Sequence, residues 1–113
     1  MTFLTILKIA AALATVATGL LALIKPTAVY GFTGLTAPAA RGITEIRSIF
    51  GGLFIALGLV PLFLGDVAYQ MLGFGYLGIA LVRLFSIFFD KSPDKSNWIS
   101  LATEIVLGII LVI

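Results

Sequence analysis

The sequence predicts an all-α integral membrane protein, an antiparallel four-helix bundle. Three observations predict it. Hydrophobic residues make up 61% of the 113-residue chain and charged residues 11%, against about 45–50% and ~25% in soluble domains. The apolar residues fall into four runs, each near the ~20 residues that cross a bilayer as a helix. The turn Gly65-Asp66 between the second and third runs leaves room only for an antiparallel neighbour. We expect one domain over 1–113, with spans at about 2–24, 43–64, 67–89 and 97–113 and a long interfacial loop at 25–42.

Composition also excludes function classes. The chain has no Cys and no His. Disulfides, thiol chemistry, Cys/His zinc sites and His-ligated haem are therefore excluded. A net charge of +2 with no basic run argues against nucleic acid as a partner. We expect no cofactor, no metal and no catalytic residue set. The expected partners are the lipid bilayer and, beyond it, other membrane subunits or further copies of the chain.

The first span ends at Lys25-Pro26, because proline cannot continue the helical hydrogen bonding. Its apolar run Ile9–Ile24 is long for a signal-peptide core, and no Lys or Arg precedes Lys8. Lys8 lies about 9 Å along the axis from Thr2 and can reach back to the headgroups. Lys8, Ala11, Thr15, Thr18 and Ala22 recur at three-to-four spacing and form a small-residue face for a neighbouring helix. The connection 25–42 is rich in Gly and Pro yet carries Val29, Tyr30, Phe32 and Leu35, which points to the membrane interface.

In the second span, Ser48, Gly52 and Ala56 repeat every four residues, a seam continuous with Glu45. Arg47 is turned about 200° from Glu45. Pro61 is expected to kink or end this span. The third span contains Gly73-Phe74-Gly75-Tyr76-Leu77-Gly78, a literal GxGxxG. A nucleotide site is rejected, since that fingerprint needs a preceding strand and a βαβ unit. Tyr69, Gly73, Tyr76, Ala80 and Arg83 share one helical face. The polar loop Asp90–Asn97 leads to the fourth span, where Trp98 suits an interface anchor and Ser100, Glu104 and Gly108 form the polar, small face.

Threading four antiparallel spans brings the intramembrane charges to one end. Glu45 and Arg47 open span two, Arg83 lies near the end of span three, and Glu104 near the start of span four. A lone charge at the span centre costs about 2.5–3.5 kcal/mol on insertion scales, so a paired layer is expected. Tyr76, on the Arg83 face, is positioned to add a hydroxyl. Glu45, Arg47, Arg83, Glu104 and Tyr76 are thus the candidate ligand or structural polar cluster. Lys8 stands apart, with Asp66 as its candidate partner. Lys25, Arg41, Lys91 and Lys95 lie outside the spans on the loop side. The positive-inside rule makes that side cytoplasmic, with both termini outside.

Glu45-Ile46-Arg47 followed by Gly51-Gly52, Arg83 near the end of span three, and Glu104 with Leu107-Gly108 resemble the small bacterial membrane proteins of the domain of unknown function 4345 family. That family is similar, more distantly, to the DoxX-like four-helix membrane proteins. The resemblance implies a four-span bundle in a bacterial inner membrane and carries Glu45, Arg47, Arg83 and Glu104 over as family-type polar positions. It implies no activity. The wider group includes oxidoreductase accessory subunits and assembly helpers, so it favours a partner-dependent role.

The leading functional expectation is therefore a non-enzymatic accessory, structural or assembly subunit of a membrane complex, with the cluster as an interhelical clamp. The alternative is a lipid- or small-molecule-binding protein or carrier. Its ligand would be a lipid headgroup, an anionic or zwitterionic small molecule or a quinone-like ring held at the cluster.

Overall fold

A computed structural model describes residues 1–113. It is all-α and contains no strand. Four helices are long and apolar enough to cross a membrane: α1 (Phe3–Ile24), α2 (Ala40–Leu64), α3 (Asp66–Phe89) and α4 (Lys95–Val112).

Local chemistry sets the ends. The Thr2 hydroxyl accepts from the Thr5 N–H at 3.1 Å and caps α1. Pro26 starts a 3₁₀ turn, Pro26–Val29, which runs into one helical turn, Tyr30–Thr33. The interfacial loop is thus partly helical, and α2 begins at Ala40 rather than at Ile43. The Tyr30 hydroxyl closes this connection on itself. It accepts from the Ala37 N–H at 3.1 Å and donates to the Ala37 carbonyl at 3.3 Å. Pro61 does not end α2, which continues to Leu64. After α3, Lys91 takes a left-handed conformation (φ 52°), and the Ser92 N–H reaches back to the Ile87 carbonyl at 3.0 Å. This is the six-to-one bond of a Schellman stop, with lysine where glycine is usual.

Packing is carried by small residues. In α1 the buried row is Ala11, Ala12, Thr15, Gly19 and Ala22; Thr18, expected on this face, is exposed. This row faces Gly51, Ile55 and Gly58 of α2. A Cβ on Gly58 would stand 2.6 Å from the Ala12 carbonyl oxygen, and one on Gly19 would stand 2.8 Å from the Gly51 carbonyl oxygen. Residues late in α1 therefore meet residues early in α2, so the two helices run antiparallel. The same holds for α3 and α4, where Gly73 lies against Gly108 and Leu111 while Arg83 lies against Glu104.

The seam expected on α2 is corrected. Ser48, Gly52 and Ala56 are exposed, and Ile46, Gly51 and Gly58 are buried instead. The cause is a π-helical stretch, Ile46–Leu53, in the middle of the helix. Its i→i+5 bonding takes an extra residue into each turn, so Ile46 and Gly51, five apart, share a face. An α-helical spacing of four no longer tracks that face.

The helices are not equally engaged. The Ile46–Leu53 half of α2 packs on α1, while its Phe54–Leu64 half, next to the shared turn at Gly65, meets both α1 and α3. The α2–α3 hairpin therefore opens towards the loop end, in a Cα envelope of 45 × 31 × 17 Å. Tyr69 and Leu72 of α3 pack with Ala11 and Ala12 of α1 and Leu111 of α4, and Ala80, Ile87 and Leu101 make a second cluster between α3 and α4. Only 19 of 113 residues are buried, and large apolar side chains such as Phe63, Val67, Met71 and Phe88 point outward. In water such an exterior would be an extended adhesive surface. The four apolar helices point instead to a membrane protein.

Candidate functional site

Arg83 is on the inward face of α3, with Tyr69, Gly73 and Ala80 along the same row. Glu104 faces it from α4. The Arg83 Nε–H donates to both carboxylate oxygens, at 2.8 and 3.1 Å, and Nη2 donates to Oε2 at 2.7 Å. This two-nitrogen, two-oxygen arrangement is the strong form of an Arg–carboxylate pair. Nη1 donates to the Asn97 side-chain oxygen at 2.8 Å, and the Asn97 amide nitrogen donates to the carbonyl and hydroxyl of Ser92, at 3.0 and 3.2 Å. One network thus fastens α3, the loop after it and the first turn of α4. The Glu104 side chain is 10% exposed and that of Arg83 30%. The carboxylate is enclosed; the guanidinium keeps one open side.

That open side forms part of a cleft of about 730 Å³ at the loop end, where α2 and α3 diverge. Its walls differ in chemistry. Phe32 and Leu35 of the connection, Phe50 of α2 and Val82 of α3 are apolar; Arg83, Ser86, Ser92, Ser96, Asn97 and Ser100 are polar. The turn Tyr30–Thr33 comes close enough to contact α4, so the connection folds over this end.

The five expected cluster residues do not all meet. Arg83 and Glu104 are brought together. Glu45 is not: it pairs with Arg41, one turn earlier on α2, and both side chains are exposed. Arg47 is also exposed and takes no part in the network. The four-residue layer is therefore corrected to a two-residue pair. The π stretch is the reason, because it places Ile46 on the buried face and turns Glu45 off it. Exposed i, i+4 pairs contribute about 0.3–0.5 kcal/mol, so Glu45→Gln is expected to shift unfolding in detergent by no more than that.

Tyr76 is half-buried but does not extend the Arg83 network. Its hydroxyl bonds to Thr15 of α1. Since the Thr15 hydroxyl donates to the Ala11 carbonyl at 2.9 Å, the Tyr76 O–H is the donor in that bond. Tyr76 thus ties α3 to α1. Lys8 and Asp66 form no ion pair; the two ion pairs of the chain are Arg41–Glu45 and Arg83–Glu104.

Sequence reasoning missed Asn97 as a bridge and the serines as a wall. Part of the signal was present: Ser96 and Ser100 stand four residues apart in the first turns of α4. Phe32 and Phe50 had no such signal, since their place depends on the path of the connection and on the π stretch. No group of three or more His, Cys, Asp or Glu comes together to hold a metal.

No curated protein and no solved structure matches the chain. Residues 3–113 match the family described as Domain of unknown function (DUF4345). The match takes in all four long helices, the Arg83–Glu104 pair and the cleft beside it, and the chain belongs to the DUF4345 family.

Proposed function

We propose that the chain is an antiparallel four-helix bundle of a bacterial inner membrane that binds an amphiphilic small molecule in the cleft beside Arg83. The observation that carries this is the cleft's two-sided wall. Binding sites are concave and mostly apolar, with a few placed polar groups, and an ionisable side chain at membrane depth is a functional candidate by default. Glu104 is not on the cleft wall, so it holds Arg83 in place while Arg83 reaches outward. The reading is of binding rather than catalysis, since the hydroxyl–carboxylate contact at the cleft, Ser86 to Asp90, is an exposed one between residues one turn apart at the end of α3.

Native mass spectrometry of the protein drawn from its source membrane in mild detergent tests this. An amphiphile mass retained by the wild type and lost on Ser100→Phe, which puts a ring into the cleft, is the expected result. Equal retention by both would overturn it.

The outward row Ser48, Gly52 and Ala56 on α2 supports a second role as an accessory or assembly subunit. All three are exposed, and such a row lets a partner helix approach closely. The same spectra report a bound polypeptide, and Gly52→Leu should release it. If no polypeptide is retained under conditions that keep the amphiphile, that role fails.

For orientation, Lys25, Arg41, Lys91 and Lys95 all stand at the loop end. This supports a cytoplasmic cleft with both termini outside. The cysteine-free chain makes labelling simple. Thr2→Cys should react with an impermeant maleimide from the outer face, and Lys95→Cys only after the membrane is opened. The reverse pattern would invert the topology.

A further inference from the structure

The cleft does not end at Arg83. It shares Ile79 with a narrow groove of about 180 Å³ between Phe54 and Leu57 of α2 and Met71 and Gly75 of α3. That groove shares Leu57, Met71 and Leu72 with a third hollow of about 430 Å³, which reaches Pro61 and Val67 beside the Gly65 turn. The three follow one another along the line where α2 and α3 face each other. From Arg83 to Val67 the rise along α3 is about 24 Å. That exceeds the ~15 Å depth of one leaflet, half of a ~30 Å hydrocarbon core. Two glycines hollow the α3 wall: a Cβ on Gly75 or Gly78 would have no atom within 4 Å. Tyr76 does not make the groove polar, since its hydroxyl is engaged by Thr15.

The charge at the head of this track is nearly balanced. The Arg83 guanidinium is answered by Glu104 at 2.7–2.8 Å, and the other charged side chain on the cleft wall is Asp94. On the cleft wall itself an anion would therefore meet no excess positive charge; Lys25, Arg41, Lys91 and Lys95 stand at the same end of the molecule but do not line the cleft. Hydrogen bonding is still on offer. Arginine has five N–H groups; Glu104 and Asn97 leave one free on each terminal nitrogen. The network also leaves the hydroxyls of Ser96 and Ser100, one turn apart on α4, unused on the same wall.

We propose that the cleft and the α2–α3 groove form one track for an uncharged amphiphile with a single long chain. Its hydroxyl- or carbonyl-bearing head bonds to Arg83, Ser96 and Ser100, and its hydrocarbon chain lies between α2 and α3. This rests on the reading that the cleft is a binding site, and it adds the charge of the head and the course of the tail.

The test uses the full chain in mild detergent, delipidated and offered three probes with the same chain: monoolein, oleate and oleoyl-lysophosphatidylglycerol. Monoolein should bind at least about tenfold more tightly than either anion, a difference of roughly 1.4 kcal/mol. Gly75→Phe and, from the facing wall, Leu57→Trp should each weaken monoolein by about tenfold or more. Circular dichroism identifies any variant that has lost its fold, and the other then carries the test. Tighter binding of an anion overturns the neutral head. Unchanged monoolein binding in a folded groove variant, with loss on Ser100→Phe, overturns the tail's course and leaves the cleft standing. Unchanged binding in Ser100→Phe as well overturns the cleft reading itself.

Discussion

Gly58→Leu should separate α1 from α2 and abolish the native fold in detergent. Even Gly58→Ala should cost about 1–3 kcal/mol, the usual range for overpacking. The contact explains the size. A Cβ at Gly58 would stand 2.6 Å from the Ala12 carbonyl oxygen and 2.9 Å from the Val16 amide nitrogen. Both are backbone atoms of α1, so no rotamer change relieves the clash, and the helices must move apart. Moving them apart also opens the contact a few turns away, where Gly19 lies against Gly51 and Ile55. Within a bilayer close packing is itself a main source of helix association, because lipid tails are as apolar as the side chains they would replace. Gly75→Ala is the matched control. It adds the same methyl to a helix interior but meets nothing within 4 Å, and it should gain about 0.5–1 kcal/mol from helix propensity. Denaturant unfolding in mixed micelles measures both. Equal stability of Gly58→Ala and Gly75→Ala would show that the α1–α2 contact is not tight.

The contrast between those two glycines marks what a sequence can disclose here. Four apolar runs gave the helices, because span length and hydropathy are properties of the chain alone. The faces of α3 and α4 were also legible. Tyr69, Gly73, Ala80 and Arg83, and Glu104 and Gly108, keep an undisturbed 3.6-residue period, so angular position predicted which residues face inward, but not which Arg pairs with which Glu. The face of α2 was not legible, because Ile46–Leu53 is π-helical and no residue in it announces the change. One widened stretch moved the seam from Ser48, Gly52 and Ala56 to Ile46, Gly51 and Gly58, and with it removed Glu45 from the polar layer. The cleft was half legible. Its Ser96 and Ser100 wall is written as a helical spacing of four; its apolar wall depends on how the connection folds back, which no local pattern encodes.

Glu104→Leu should be the most damaging change at the polar end, costing about 2–3 kcal/mol. Breaking a buried ion pair by removing one partner costs about 3–5 kcal/mol; the lower figure reflects the 30% exposure of Arg83 through the cleft. The variant leaves the guanidinium with Asn97 as its one side-chain acceptor. Adding Arg83→Leu should then recover most of the loss, because a leucine pair no longer carries an unanswered charge. The coupling energy from the double-mutant cycle separates a clamp from two independent polar residues. If the double variant is as unstable as the sum of the singles, the pair does not hold α3 to α4. The cycle also sorts stability from binding. Glu104→Gln keeps the side chain's shape but not its charge, and Glu104 is absent from the cleft wall, so its first effect should be on unfolding. Arg83→Leu should lower amphiphile retention even in the stabilised double variant, since it removes from the cleft wall the guanidinium whose two remaining N–H groups Glu104 and Asn97 leave unbonded. Loss of retention in Glu104→Gln at unchanged stability would reverse those roles and make the carboxylate, not the guanidinium, the group that meets the ligand.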